Sequence, residues 1–314
     1  MGEITPEQEV DLPRDLISER SQRIFNEALA IQQEEAKEAG ALGYMARVLA
    51  QVTLPHSRPK TNEFTRSNGG VTLTVQAPKK IGLPYGSQPR LQLSWLTTEA
   101  VRTKERQLKL GDTLTAFMRE VGVNPIYGPR GNVNMFRQQM IKLLGSTFHC
   151  IFEGELASKR GHSAKHLLIA DEQDIWWDPL KPEQVTMWDS CVTLSEKFFK
   201  EVTESPVPID LRALKALKGS PMALDIYTWL THRFSYLREA RVIPWDALRL
   251  QLGAEYKDTR QGRNAFKTAT MKHLKKVLVL YPEAKVSEHK SGLFLKPSPT
   301  HVGKKVQIYV PDRY

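Results

Sequence analysis

One ordered stretch near the C-terminal end constrains this 314-residue chain more than any other feature. Trp245–Leu252 has the pattern of a short helix closed by Gly253; a polar turn follows, and Arg260–Val279 reads as a long amphipathic helix. Phe266, Ala269, Thr270, His273 and Val277 share one face of that helix, with Leu274 and Leu278 beside them. Arg260, Arg263, Asn264, Lys267, Thr268 and Lys272 share the other. Two short strands follow, around Lys285–Ser287 and at Gly292–Leu295, joined by a tip at His289-Lys290-Ser291. Helix, glycine turn, helix, hairpin is the order of a helix-turn-helix carrying a wing. A helix docked by its apolar side must present its cationic side outward. Arg and Lys then suit guanine edges, Asn suits adenine, and the remaining polar groups suit phosphates. The N-terminal half of such a helix reads bases, which makes Arg260, Arg263, Asn264 and Lys267 the first candidates, with Thr268 and Lys272 behind them. Lys275 and Lys276 lie farther along and suit the backbone, while Lys285, His289 and Lys290 suit a flanking phosphate or the minor groove.

Charge placement agrees with this. The chain holds 45 Lys and Arg against 35 Asp and Glu, a formal net charge of +10. Residues 1–40 carry four basic and ten acidic residues, whereas residues 206–314 carry twenty basic and nine acidic. All the net positive charge therefore sits in the last third, and a basic domain attracts nucleic acid or an anionic membrane surface. A membrane-surface helix needs exposed apolar groups opposite its lysines, and here packing consumes that face. No run approaches the roughly 18 apolar residues of a membrane span. Two cysteines, Cys150 and Cys191, build neither a disulfide framework nor a four-cysteine zinc site, which fits a reducing cytoplasm.

The remainder reads as an α+β chain: a tandem pair of winged-helix domains behind an N-terminal helical and irregular extension. At about 150 residues per domain, two compact units are expected. Residues 1–89 form the extension, a helix over 14–51 and then a linker with five prolines, the Asn68-Gly69-Gly70 turn and a strand-like Val71–Val75. Residues 90–205 form the first unit, with helices at Leu91–Lys104, after Asp112 as N-cap, and at Asn132–Leu144, then strands at Thr147–Glu153 and His166–Ala170 joined by a polar loop. Shorter strands are expected at Gln184–Thr186 and Val192–Leu194. Residues 206–300 form the second unit, with Ser220 capping a helix that starts at Pro221, and residues 301–314 form a tail.

The first unit offers a second polar helix face, made of Arg130, Asn132, Asn134, Arg137, Gln138 and Lys142; DNA contact and support of a dimer interface are both open for it. Catalysis finds little footing. His162 and His166 stand four apart without a third ligand, on the expected loop between strands. There is no phosphate-loop signature and no histidine triplet of the kind an origin-nicking enzyme uses. Trp176-Trp177 reads as core or interface before base stacking. No cofactor, metal or catalytic residue is expected.

Pro206–Leu217 (PVPIDLRALKAL), Ser220–Leu230 (SPMALDIYTWL) and Val192–Phe199 (VTLSEKFF) together resemble the plasmid-encoded RepA replication initiators of broad-host-range bacterial plasmids. The resemblance covers about residues 90–300. It implies two winged-helix domains that bind directly repeated iterons in double-stranded DNA at a plasmid origin. It maps the main recognition helix onto Arg260–Lys272 and implies that the first unit mediates dimerisation and an auxiliary DNA contact. It further implies a homodimer in equilibrium with a monomer, opening of an AT-rich element, and recruitment of the host initiator and replicative helicase. A transcriptional repressor with the same folds, including an autoregulator, is the alternative, with an origin-nicking enzyme behind it.

Overall fold

The computed structural model describes residues 19–47, 50, 53–67, 71–156, 159–187, 189–253 and 255–303. Its elements mix helices with small antiparallel sheets. Among the described residues no helix is long and apolar enough to cross a membrane.

The N-terminal region differs from a single helix followed by a linker. Helix α1 spans Glu19–Gln33, and strand β1 (Leu42–Met45) follows a turn containing Gly40 at φ 63°. β1 pairs antiparallel with β9 (Val207–Asp210), Leu42 opposite Asp210 and Met45 opposite Val207. A helical reading of 42–45 fails because the partner that takes up its backbone bonds lies far along the chain. Residues 63–76, expected in a linker, form the hairpin β2 (Glu63–Ser67) and β3 (Val71–Gln76). The Asn68-Gly69-Gly70 turn lies outside the described residues. The hairpin continues through β5 (Thr147–Leu156) to β6 (Lys159–Leu168), so one four-stranded sheet takes half its strands from that segment. β5 and β6 run longer than expected, and most of the expected polar loop is paired strand, as far as Leu156 opposite Lys159. His166 is therefore a strand residue whose Nδ1 lies 2.5 Å from Nδ1 of His149, directly opposite; His162 is also on β6, outside the described side chains.

In the same region α2 spans Ser87–Thr103 and packs on α4 (Val133–Leu144). Between them lie β4 (Gln107–Lys109) and α3 (Leu114–Glu120). Thr113 caps α3 through its hydroxyl, which accepts from Ala116 N; Asp112, the expected cap, sits one residue too early after Gly111 at φ 86°. Phe117 anchors this core, edge-on to Trp95 and Phe136 and stacked on Trp177 at 5.2 Å. Trp177 is thus core, whereas Trp176 is 52% exposed. β4, β8 (Cys191–Leu194) and β7 (Ala170–Asp174) form a second small sheet; the expected strand at Gln184–Thr186 is turn and loop instead.

α5 (Glu196–Glu204) leads into β9, α6 (Leu211–Leu217) and α7 (Pro221–Phe234). Ser220 caps α7 by accepting from Ala223 N, with proline at its first position. α7 is buried on nearly every side and forms the spine on which the following helices pack. Its Asp225 meets Arg90 of α2 in a bidentate pair, Nε–Oδ1 2.6 Å and Nη2–Oδ2 2.8 Å. His56 Nε2 lies 2.7 Å from the same Oδ2, and Arg66 donates to the Gln251 and Leu54 carbonyls. Burial alone would raise the Asp225 carboxyl, but the Arg90 charge and the bonds from His56 and Arg90 hold it well below the usual carboxylate range. Burial likewise drives Arg66 down to about 10. This junction ties residues 54–66, α2 and α7 into one frame.

Candidate nucleic-acid interface

The basic helix exists where the residue pattern placed it. Strand β10 (Arg241–Pro244) precedes α8 (Trp245–Leu252), and α9 runs Arg260–Leu280. The turn between α8 and α9 is built by close approach. A side chain at Gly253 would meet the Phe266 ring at 2.3 Å, and one at Gly262 would meet the Lys257 carbonyl at 2.1 Å. Phe266 can therefore enter the angle between the helices, where Tyr256 meets it edge-on. Thr259 caps α9 by accepting from Gly262 N, a cap hidden in the linear reading inside a polar run.

α9 lies along α7, with α1 on another flank. Phe266, Thr270, Leu274, Val277 and Leu280 are buried, while Ala269, His273 and Leu278 are partly buried. On the other side Arg260, Arg263, Asn264, Thr268 and Lys272 are exposed, and Lys267 is partly so. Beside this face lies the hairpin β11 (Val286–His289) and β12 (Gly292–Leu295), joined by β10 into a three-stranded sheet. Arg263, Asn264, Lys267 and Lys290 line one groove, together with Trp245 and Asp246. Asn264, Lys267, Thr268 and Lys272 line a second, bounded by Glu288. His289 is exposed near the tip, its Nδ1 2.9 Å from Ser291 Oγ, and Lys285 is exposed just before β11.

Carboxylates absent from the linear picture complete this surface. Asp258 Oδ1 accepts from Arg263 Nε at 2.8 Å and from Arg249 Nη2 at 3.0 Å. The pairing raises the Arg263 guanidinium and lowers the Asp258 carboxyl from their ordinary values. Lys267 Nζ lies 2.7 Å from Glu288 Oε1 and 5.3 Å from the centre of the Trp245 ring. Asp258 stands five residues before Arg263 and could have been suspected from that proximity. Glu288 is brought to Lys267 only by the hairpin.

The polar face at α4 is assembled differently. Asn132 Nδ2 donates to the Asn124 carbonyl and its Oδ1 accepts from Ile126 N, so this side chain closes the turn before α4 instead of facing outward. Arg137 donates to the Ile175 carbonyl, and Lys142, lying over the Tyr85 ring at 5.2 Å, is lowered from its ordinary value by burial. Only Arg130, Asn134 and Gln138 of the six are exposed; the other three are partly buried.

Among the described residues no group of three or more His, Cys, Asp or Glu converges as a metal site. The buried Cys150 thiol is pushed up to about 11, first by burial, which suppresses the thiolate a nucleophile needs.

No curated protein matches this sequence. Among solved structures the chain is similar to a selenomethionine derivative of domains 2 and 3 of RctB, with a TM-score of 0.49 and 12% identity over 79% of this chain and 96% of that one. A second structure of RctB domains 2–3 gives a TM-score of 0.47 at the same identity and coverage. The family model described as plasmid-encoded RepA protein matches residues 83–247, more than half of the chain, from before α2 to the first turn of α8. By that match the chain belongs to the plasmid-encoded RepA family of replication initiators.

Proposed function

We propose that this chain initiates plasmid replication by binding directly repeated iterons in double-stranded origin DNA, with α9 in the major groove and the β11–β12 hairpin as a wing on the flanking backbone. One observation carries the reading: α9 is fixed by its apolar side while Arg260, Arg263, Asn264, Thr268 and Lys272 stand exposed beside the hairpin. The family match ends at residue 247, before α9, so the choice of recognition helix rests on geometry. The order of α6 to α9 and the hairpin supports a winged helix, and α2 to α4 with β5 and β6 support a second one of weaker DNA contact. A homodimer in equilibrium with a DNA-binding monomer, opening of an AT-rich element, and contacts with the host initiator and replicative helicase follow from the family reading. The reading assigns the chain no catalytic step and no cofactor.

Footprinting on the DNA flanking the gene tests it. Several evenly spaced protected repeats are expected beside an AT-rich stretch, and one inverted site bound by a dimer would instead support the repressor reading. Affinity should fall steeply as salt rises, because phosphates are neutralised by Lys and Arg. Arg263→Ala should weaken specific binding by about 1–3 kcal/mol with the fold intact. Unchanged binding in that variant would place the reader elsewhere.

A further inference from the structure

The cationic face of α9 carries its own counter-ions, and their arrangement is not random. We propose that Asp258 is a positioning residue that orients Arg263 for base reading, and that Asp246, Asp258 and Glu288 form an anionic screen against non-cognate DNA. The proposal rests on the reading of α9 as the major-groove helix.

Asp258 is tied to the scaffold. The oxygen that accepts from Arg263 Nε also accepts from Arg249, whose side chain is only 10% exposed and belongs to the body of α8. Arg263 thereby gains a fixed tether at one edge of its guanidinium, although 54% of its side chain is exposed. The tether uses Nε, and among the described residues neither terminal nitrogen of Arg263 donates a hydrogen bond. Those two nitrogens are the pair that fits guanine O6 and N7. An Arg held by Nε surrenders rotamer freedom before DNA arrives, which lowers the cost of the bidentate contact. Asp246 Oδ1, 3.8 Å from the same Nε, lends further negative charge to this edge.

Lys267 is held in another way. Glu288 of the hairpin pairs with it, Trp245 lies against its ammonium, and the Trp245 indole donates to the His289 carbonyl. The cation is thus shared between α8 and the wing, and it must leave Glu288 to reach a phosphate. A duplex that offers phosphates alone meets three carboxylates, with Arg263 and Lys267 already paired. A cognate duplex adds base contacts that offset the repulsion. Like charges placed against the wrong ligand are a general source of discrimination.

The test uses the full chain and two probes: the tightest duplex recovered from a randomised pool by the wild-type protein, and an unrelated duplex of equal length. Asp258→Asn should weaken binding to the selected duplex about tenfold, the equivalent of one strong hydrogen bond, and tighten binding to the unrelated one. Combining it with Arg263→Ala should cost no more than Arg263→Ala alone, because both changes remove one function. Asp258→Glu should restore part of the discrimination. Glu288→Gln, at an exposed residue independent of Arg249, should tighten unrelated binding more than selected binding. An unchanged ratio between the two duplexes in Asp258→Asn and in Glu288→Gln, or additive losses in the double variant, overturns the proposal. Selected-duplex binding that survives Arg263→Ala overturns the underlying reading of α9 itself, a result distinct from failure of the screen.

Discussion

Two helices of this chain, α4 and α9, both present Asn, Arg and Lys at helical spacing, and the fold uses them in different ways. At α4 and the turn before it, three of the six polar residues are committed to intramolecular work: Asn132 closes the turn, Arg137 holds a loop carbonyl, and Lys142 lies half-buried over Tyr85. On α9 the same residue types meet solvent and carboxylates that are themselves exposed, such as Asp258 and Glu288. A polar helix face therefore signals a ligand only when its side chains are not already satisfied by neighbouring backbone. That distinction needs coordinates, because the carbonyls of Asn124 and Ile175 leave no mark in residue spacing.

The frame beneath both helices provides the largest test. Asp225→Ala strips the carboxylate from the buried Arg90 and His56, and should cost about 3–5 kcal/mol in urea unfolding. α2 carries α4 and α7 carries α9, so both regions should loosen together; a loss below about 1 kcal/mol would remove this junction as their common support.

Next comes a matched pair of substitutions. Asn264→Ala should lower specific DNA affinity by about 1–3 kcal/mol and leave unfolding unchanged. Asn132→Ala should do the reverse, lowering stability by about 1–2 kcal/mol through the two lost turn bonds while binding persists. Equal behaviour of the two asparagines would dissolve the contrast.

Lysines extend it at smaller size. Lys272→Ala should reduce the slope of log affinity against log salt by about 1, whereas Lys142→Ala should leave that slope unchanged.

The smallest effect is that of pH. Burial lowers the His56 imidazole below its ordinary 6.5 against the opposing pull of Asp225, with Arg90 and Arg66 adding to the lowering. The unfolded chain then binds the proton more readily, so this contribution to stability is complete above pH 6.5 and is lost as pH falls below it. His301, also lowered by burial, acts in the same direction. Unfolding followed from pH 7.5 to 5.5 should show stability declining, and His56→Gln should flatten the decline; an unchanged slope would assign the proton uptake elsewhere.

Several elements were legible in the residues. Ser220-Pro221 marked the start of α7, Gly253 the end of α8, and the 3.6-residue period of Phe266, Thr270 and Val277 the buried side of α9. Period and caps are local, and these helices carry both. β1, β10 and the length of the β5–β6 hairpin were not legible, since each depends on a partner strand distant in sequence or on pairing that continues past polar residues. The carboxylates around Arg263 and Lys267 were missed for a related reason. Residue spacing lists the cations of a helix face but not what the flanking turn, helix and hairpin fold over them.

By itself the amino-acid sequence determined which side of α9 is apolar and which is cationic, because that segregation follows from helix periodicity alone. Only the tertiary structure decided that α9 is backed by α7 and flanked by a hairpin, and that half the polar groups at α4 are spent on neighbouring segments of the chain. The difference has one physical cause. Amphipathicity belongs to a segment of chain, whereas exposure and hydrogen-bond satisfaction belong to the neighbours that segment acquires on folding.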